Sequence, residues 1–260
     1  MASTIQLRIR RRDDPKSESY WEEFEIPYRP SMNVISCLME IQKRPVTAKG
    51  EKTTPVVWDA ACLEEVCGSC SMVINGRVRQ ACSTLIDQLH QPITIEPMSK
   101  FPCIRDLRVD RQVMFDNLKK VKAWIPIDGT HSMGGAHSVG GAPRLADGLR
   151  IEESNRLKIH DLAQCTACGA CLEVCPQYHE KSPFIGASAI SQVRRFNGHP
   201  AGVLQKGVRL MALMEEGGLD DCGNAQNCVK ACPVNIPLTE SIAEMGREVT
   251  KYALGKLFGR

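Results

Sequence analysis

The first third of the chain alternates between apolar and polar positions. In "TIQLRIR", Ile5, Leu7 and Ile9 are separated by polar residues, and "EFEIPY" repeats the two-residue period with Phe24, Ile26 and Tyr28. This period puts successive apolar side chains on one face of a strand. "NVISCLMEIQK" changes the rhythm: Val34, Ile35, Leu38 and Ile41 fall at helical spacing, so one short helix interrupts the sheet. "SMVINGRVRQ" holds Asn75-Gly76, the dipeptide suited to a two-residue hairpin turn, and "PITIEP" supplies another short strand bounded by prolines.

From about Arg105 the pattern turns helical, in "RDLRVDRQVMFDNLKKVKAW". "HSMGGAHSVGGAPRLADG" then reads as a flexible exposed loop, with His131 and His137 as loop residues rather than ligands. Beyond Asn155 the spacing is helical to the end, broken by cysteine clusters. "HPAGVLQKGVRLMALMEEGG" predicts a helix stopped by glycines. In "IAEMGREVTKYALGKLF", Ile242, Met245, Val249 and Leu257 lie broadly on one face. Such a face packs on its own domain or a partner, in preference to lipid headgroups.

Composition narrows the classes. A chain of 260 residues, 43% hydrophobic and 24% charged, suits two modest globular domains. A net charge of +3 is too small to argue for nucleic acid. No run approaches the roughly 18 apolar residues that a membrane span needs. "MASTIQLRIRRRDD" lacks an apolar export segment, so membrane association is expected through a partner. The 13 cysteines are an odd number and sit mostly in tight clusters, which favours metal ligation in a reducing compartment over disulfides.

The first ligand set is Cys62, Cys67, Cys70 and Cys82, in "CLEEVCGSC" plus a distant cysteine. This is the plant-type spacing for a [2Fe-2S] cluster. Such a loop must curl around an anionic core with its N–H groups inward, and Gly68 lets the main chain come close. Cys82 arrives from the far strand of the Asn75-Gly76 hairpin. Zinc ribbons usually pair two C-x-x-C knuckles, and only one such step exists here, so spacing favours the two-iron site over zinc.

The second and third sets interlock. "QCTACGACLEVCP" has the bacterial four-iron run, whose last cysteine serves the other cluster. Cys165, Cys168 and Cys171 therefore join Cys232 around a [4Fe-4S] cluster. Cys175 joins Cys222 and Cys228. In "DCGNAQNCVKACP" the template position of the fourth thiolate is Ala225. A cubane with one unligated iron tends to shed it, which predicts a [3Fe-4S] centre of different charge and potential. Asp221 or water as a fourth ligand is the rival reading. Pro176 and Pro233 stop helices behind their cysteines. Cys37 and Cys103 read as small buried hydrophobes. His160 and His179 lie near the runs, with plain structural roles favoured.

Three one-electron centres make a wire, and no catalytic triad, phosphate loop or nucleotide fingerprint accompanies them. The order of plant-type site, "CTACGACLEVCP" and "CGNAQNCVKACP", together with "GEKTTPVVWDAACLEEVCGSCSMVING", "KVKAWIPIDG" and "SQVRRFNGHP", resembles the iron–sulfur subunits of succinate dehydrogenase and fumarate reductase over nearly the whole chain. The resemblance implies an α+β protein. Residues 1–115 would form a β-grasp, plant-ferredoxin-like domain, 116–155 a connecting helix and loop, and 156–260 a helical, bacterial-ferredoxin-like domain. It also implies the ligand sets already derived, with the two-iron centre toward the covalent FAD of a flavoprotein subunit and the three-iron centre toward a membrane anchor. This chain would carry electrons without binding the dicarboxylate.

The phrasing is similar to Gram-positive members. That implies a cytochrome b anchor with two haems, menaquinone as acceptor, and a peripheral position on the cytoplasmic face of the plasma membrane. One departure concerns quinone: "CPQYHEKSPF" has no Trp, and Gly223 rather than His follows Cys222, so the resemblance does not carry a quinone pocket over to this subunit. Tyr178 and His179 are not assigned to it. Three other readings stay open: a fumarate reductase subunit running in reverse, a soluble electron-transfer subunit without a haem anchor, and a zinc-stabilised interaction protein.

Overall fold

The computed structural model describes residues 4–125 and 151–259. The chain divides into two compact units. The first comprises residues 1–113 together with 166–175 and 231–233, and the remainder forms the second.

In the first unit the alternating segments become strands β1 (Thr4–Arg11) and β2 (Tyr20–Pro27), paired antiparallel with Leu7 opposite Phe24 and Ile5 opposite Ile26. The hairpin strands β3 (Ser71–Ile74) and β4 (Arg77–Gln80) are joined by Asn75 and Gly76, at φ of 46° and 74°. Both values are positive, as a primed two-residue turn requires. β5 (Ile93–Glu96) runs parallel to β1 and antiparallel to β3, giving the five-strand order β2-β1-β5-β3-β4. Helix α1 (Val34–Lys43) buries Val34, Ile35, Cys37, Leu38 and Ile41 in the same core as the inward faces of β1 and β2. This is the β-grasp arrangement. Asn33 caps α1 by accepting from Ser36 N–H, and its amide donates to Cys82 O at 2.8 Å, so the cap also holds a ligand segment.

The stretch after Arg105 departs from the helical expectation. It forms a small hairpin, β6 (Cys103–Arg105) and β7 (Arg108–Val109), and helix α2 begins only at Gln112 and ends at Lys120. The cause is non-local. Asp106 turns at φ 46° and its carboxylate accepts from the Arg11 guanidinium and from the N–H groups of Arg12 and Val57. Leu107 and Val109 are buried at a two-residue period.

The helical expectation for the C-terminal half holds. Helices are α3 (Glu153–Ala163), α4 (Ala170–Glu173), α5 (Ala187–Gly198), α6 (Lys206–Met214), α7 (Asn227–Ala231) and α8 (Leu238–Leu257). α4 lies in the first unit, and α7 falls almost wholly in the second. In the second unit α5 is the central helix and packs against α3, α6 and α8. The segment expected as one helix splits into a 3₁₀ turn, Gly202–Gln205, and α6. A Cβ on Gly202 would lie 1.8 Å from Phe196 O, so the chain bends where a side chain has no room. Arg209 is fully buried and donates to the carbonyls of Lys122, Trp124 and Gly202 and to Asn197 Oδ1.

On α8, Met245 is buried as expected, whereas Leu257 is 78% exposed. The helix packs from its start to beyond its middle, where Arg194 pairs with Glu244 at 2.8 Å, Lys206 with Glu248, and Tyr252 lies against Gly207. No helix among the described residues is long and apolar enough to cross a membrane. The loop bearing His131 and His137 lies outside the described residues.

Candidate metal centres

None of the 13 cysteines is in a disulfide among the described residues. The loop from Cys62 to Cys70 is curled by three left-handed residues, Leu63, Glu65 and Gly68, at φ 62°, 60° and 68°. For non-glycine residues this conformation costs about 1–2 kcal/mol each and marks sites where geometry is imposed. Here it turns the amides inward. The N–H groups of Glu64, Val66 and Cys67 each point to Cys62 Sγ at 3.3 Å. Cys67 Sγ receives those of Ser69 at 3.4 Å and Cys62 at 3.5 Å. Burial acts to raise the Cys67 thiol, but hydrogen bonds from Ser69 and Cys62 outweigh it and bring it down to about 6. Cys70 and Cys82 are buried. Desolvation, with Cys82 alongside, pushes Cys70 up to about 11.

Such a loop suits thiolate ligation of an anionic core, because it supplies main-chain donors to sulfur. A second observation agrees. Gln80 is buried at the end of β4, and both polar atoms of its side-chain amide lack a partner among the described residues. Buried polar groups in that state generally meet water or a bound group. Among the described residues, no cluster of three or more His, Cys, Asp or Glu converges closely enough for one metal ion.

The first run has left-handed residues at Ala167 (φ 51°) and Gly169 (φ 84°), followed by α4. Cys168, Cys171 and Cys232 fall within the first unit, and Cys165 in the second. Burial raises the Cys168 thiol, the Ala170 N–H and Thr166 hydroxyl oppose it, and the nearby charge of Cys232 adds to the rise. The structure thus brings Cys232, from the second run, close to Cys168. The second run repeats the backbone of the first: Asn224 (φ 51°) and Gln226 (φ 61°) are left-handed at the offsets from Cys222 that Ala167 and Gly169 have from Cys165. Ala225 therefore occupies the place of Cys168, and it is exposed. Cys228 is buried in α7, Cys222 follows the 3₁₀ turn Leu219–Asp221, and Cys175 N–H donates to Leu172 O.

Asp221, the rival fourth ligand, accepts from Gly217 N–H at 2.7 Å. Gly223 faces Gln177: a Cβ there would lie 2.5 Å from Gln177 Nε2. Tyr178 is buried, and His160 and His179 are exposed. Sequence reasoning missed two residues. Glu173 accepts from Ser99 N–H, Ser99 Oγ and Lys100 N–H at 2.9, 2.7 and 3.0 Å. Arg111 donates to Gly68 O and Ser69 O at 2.6 and 3.0 Å. The one sequence signal for Glu173 is a lone acid between two cysteines of the run. Arg111 has none.

Cys37 is fully buried, and desolvation pushes its thiol up to about 12. Cys103 is partly buried and its thiol is likewise raised by burial. Cys37→Ala and Cys103→Ser should leave bound iron and acid-labile sulfide unchanged. Cys37→Ala should cost about 1–2 kcal/mol in denaturant unfolding. Loss of iron in either variant would show that the ligands have been misassigned.

Comparison with known proteins gives matches on both halves. Residues 6–116 match the 2Fe-2S iron-sulfur cluster binding domain family, and residues 161–236 match the 4Fe-4S dicluster domain family. The chain is 57% identical over 256 residues to the succinate dehydrogenase iron-sulfur subunit of Bacillus subtilis, covering 98% of this chain and 96% of the relative. It is 27% identical over 254 residues to the fumarate reductase iron-sulfur subunit of Wolinella succinogenes, covering 96% and 98%. In fold it is similar to a chain of the Mycobacterium smegmatis Sdh1 complex in the apo form, with a TM-score of 0.73 at 22% identity, covering 96% and 97%.

Proposed function

The chain belongs to the iron–sulfur subunits of the succinate dehydrogenase and fumarate reductase family, and we propose a three-centre electron carrier working between a flavoprotein and a membrane anchor. It is an electron-transfer subunit of succinate dehydrogenase with a two-iron domain and a four-iron dicluster domain. Its higher identity to a succinate dehydrogenase subunit than to a fumarate reductase one supports succinate oxidation as the direction. We assign Cys62, Cys67, Cys70 and Cys82 to [2Fe-2S], Cys165, Cys168, Cys171 and Cys232 to [4Fe-4S], and Cys175, Cys222 and Cys228 to [3Fe-4S]. When bound, these clusters exchange single electrons at potentials set by type, charge and hydrogen bonding.

The protein's part is to hold and tune. Inward N–H groups on Cys62 and Cys67 favour the negative charge that reduction adds. The tip of that loop carries Leu63 and Val66, 52% and 65% exposed, an apolar surface suited to an FAD-containing flavoprotein. The partners proposed on the other side are a two-haem cytochrome b anchor and menaquinone, with this chain peripheral on the cytoplasmic face. The lack of Trp in "CPQYHEKSPF" and of His after Cys222 supports leaving this subunit's surface out of the quinone pocket.

The observation that carries the third assignment is the repeated left-handed pattern, which sets Ala225 on the Cys168 template. Ala225→Cys restores the missing thiolate. In the complex it should abolish the oxidised-state three-iron resonance, produce a second four-iron signal and lower that centre's midpoint. A third centre unchanged in type and midpoint would overturn the assignment.

A further inference from the structure

The two-iron loop and the first cysteine run meet inside the first compact unit. A methyl on Gly68 would lie 2.7 Å from Cys168 Cα and 2.7 Å from Thr166 O, so the two ligand loops touch main chain to main chain. Arg111, just before α2, spans this contact. Its Nη1 donates to Gly68 O at 2.6 Å and is directed at Cys168 O at 3.4 Å, while Nη2 donates to Ser69 O at 3.0 Å. Carbonyl oxygens satisfy these donors without cancelling the charge. One planar fork therefore grips residues beside a two-iron ligand and a four-iron ligand at once, a geometry that lysine cannot reproduce.

We propose that Arg111 is the positioning residue of the junction between the first two centres: it fixes the separation of their ligand loops and sets one positive charge beside both. This rests on the assignment of Cys62–Cys82 and Cys165–Cys171 as cluster ligands. Reduction adds negative charge at either site, so a fixed cation at their seam favours the reduced form of both. Glu173 braces the same unit through Ser99 and Lys100, but it bonds main chain away from the two-iron loop and so cannot set this spacing.

The test is a redox titration of the intact complex, monitored by electron paramagnetic resonance, with Arg111→Gln and Arg111→Lys. In Arg111→Gln the two-iron and four-iron midpoints should both fall while the three-iron midpoint stays. In Arg111→Lys both should return toward wild type. A plain brace would leave midpoints unmoved, or would move them equally in the two variants, and either result overturns the proposal. Hydrogen exchange on the Arg111→Lys complex gives a second reading, which stands if Arg111→Gln does not assemble. Amides in 62–70 and 166–171 should both exchange on the order of tenfold faster, since one lost fork releases both loops. Acceleration in one loop alone, or in neither, also overturns it. A wild-type complex without a two-iron or four-iron signal would instead overturn the ligand assignment on which this rests.

Discussion

Gly68→Ala is expected to destabilise the chain by about 2–5 kcal/mol and to strip iron from the first two centres. Two costs combine. At φ 68° an alanine pays the left-handed penalty of about 1–2 kcal/mol. Its methyl would also meet Cys168 Cα and Thr166 O at 2.7 Å, and both are main-chain atoms that cannot swing away. Overpacking of that kind costs about 1–3 kcal/mol. Gly76 provides the control. Its φ is 74°, yet none of the described residues lies within 4 Å of a Cβ there, so Gly76→Ala should show the conformational cost alone. Thermal unfolding and iron analysis of the two variants separate the contact from the strain. Equal losses would mean that the loops are not in main-chain contact at Gly68.

Asp106→Ala should cost about 3–5 kcal/mol, the range for breaking a buried ion pair from one side. Arg11 and Asp106 are both fully buried, with Nε–Oδ1 at 2.8 Å and Nη2–Oδ2 at 3.2 Å. Glu22 and the main chain and hydroxyl of Thr54 complete the shell around the guanidinium. Burial works against the Arg11 charge, but the bond and charge of Asp106 outweigh it and hold the group more firmly protonated than in water. Removing the carboxylate leaves the buried cation with Glu22 as its remaining charged partner and orphans the N–H groups of Arg12 and Val57. Leu107 N–H also bonds Val57 O, so this network anchors the chain on its way into the Cys62 loop. Replacing both partners, as Arg11→Met with Asp106→Leu, should recover most of the loss, because the fully buried cation goes and the one charge left unpaired, Glu22, reaches solvent. Denaturant unfolding checks both. A double variant no better than the single would place the damage in the lost main-chain bonds.

These two sites mark where sequence legibility ended. The strands Thr4–Arg11 and Tyr20–Pro27, the Asn75-Gly76 turn and the α1 stripe followed from local periodicity, because each buries one face at its own period. The cysteine loops were legible for a related reason: ligand spacing is a local property of a chain wrapped around a compact core. "RDLRVDRQ" misled because Asp106 is claimed by Arg11, 95 residues earlier, and no window around Arg105 contains that partner. The fully buried Arg209 could not be told from a surface arginine, since its acceptors are carbonyls far along the chain. Arg111 and Glu173 escaped notice likewise, and Gly202 looked like an ordinary helix residue until Phe196 O was set against it. For the second run the loss of the fourth thiolate, with Ala225 in its place, was legible in the sequence. The left-handed Asn224 and Gln226 that keep its scaffold came only with the backbone.

We assign every cysteine except Cys37 and Cys103 to one of three inorganic cores, one of them trinuclear. The most direct test of this assignment is electron paramagnetic resonance of the intact complex, oxidised and then reduced, on a preparation assayed for iron and acid-labile sulfide. The expected result is about nine irons per chain, a three-iron signal in the oxidised state and a separate two-iron signal on reduction. A well-loaded preparation with no trinuclear species in any redox state, or one holding zinc and no sulfide, would contradict it.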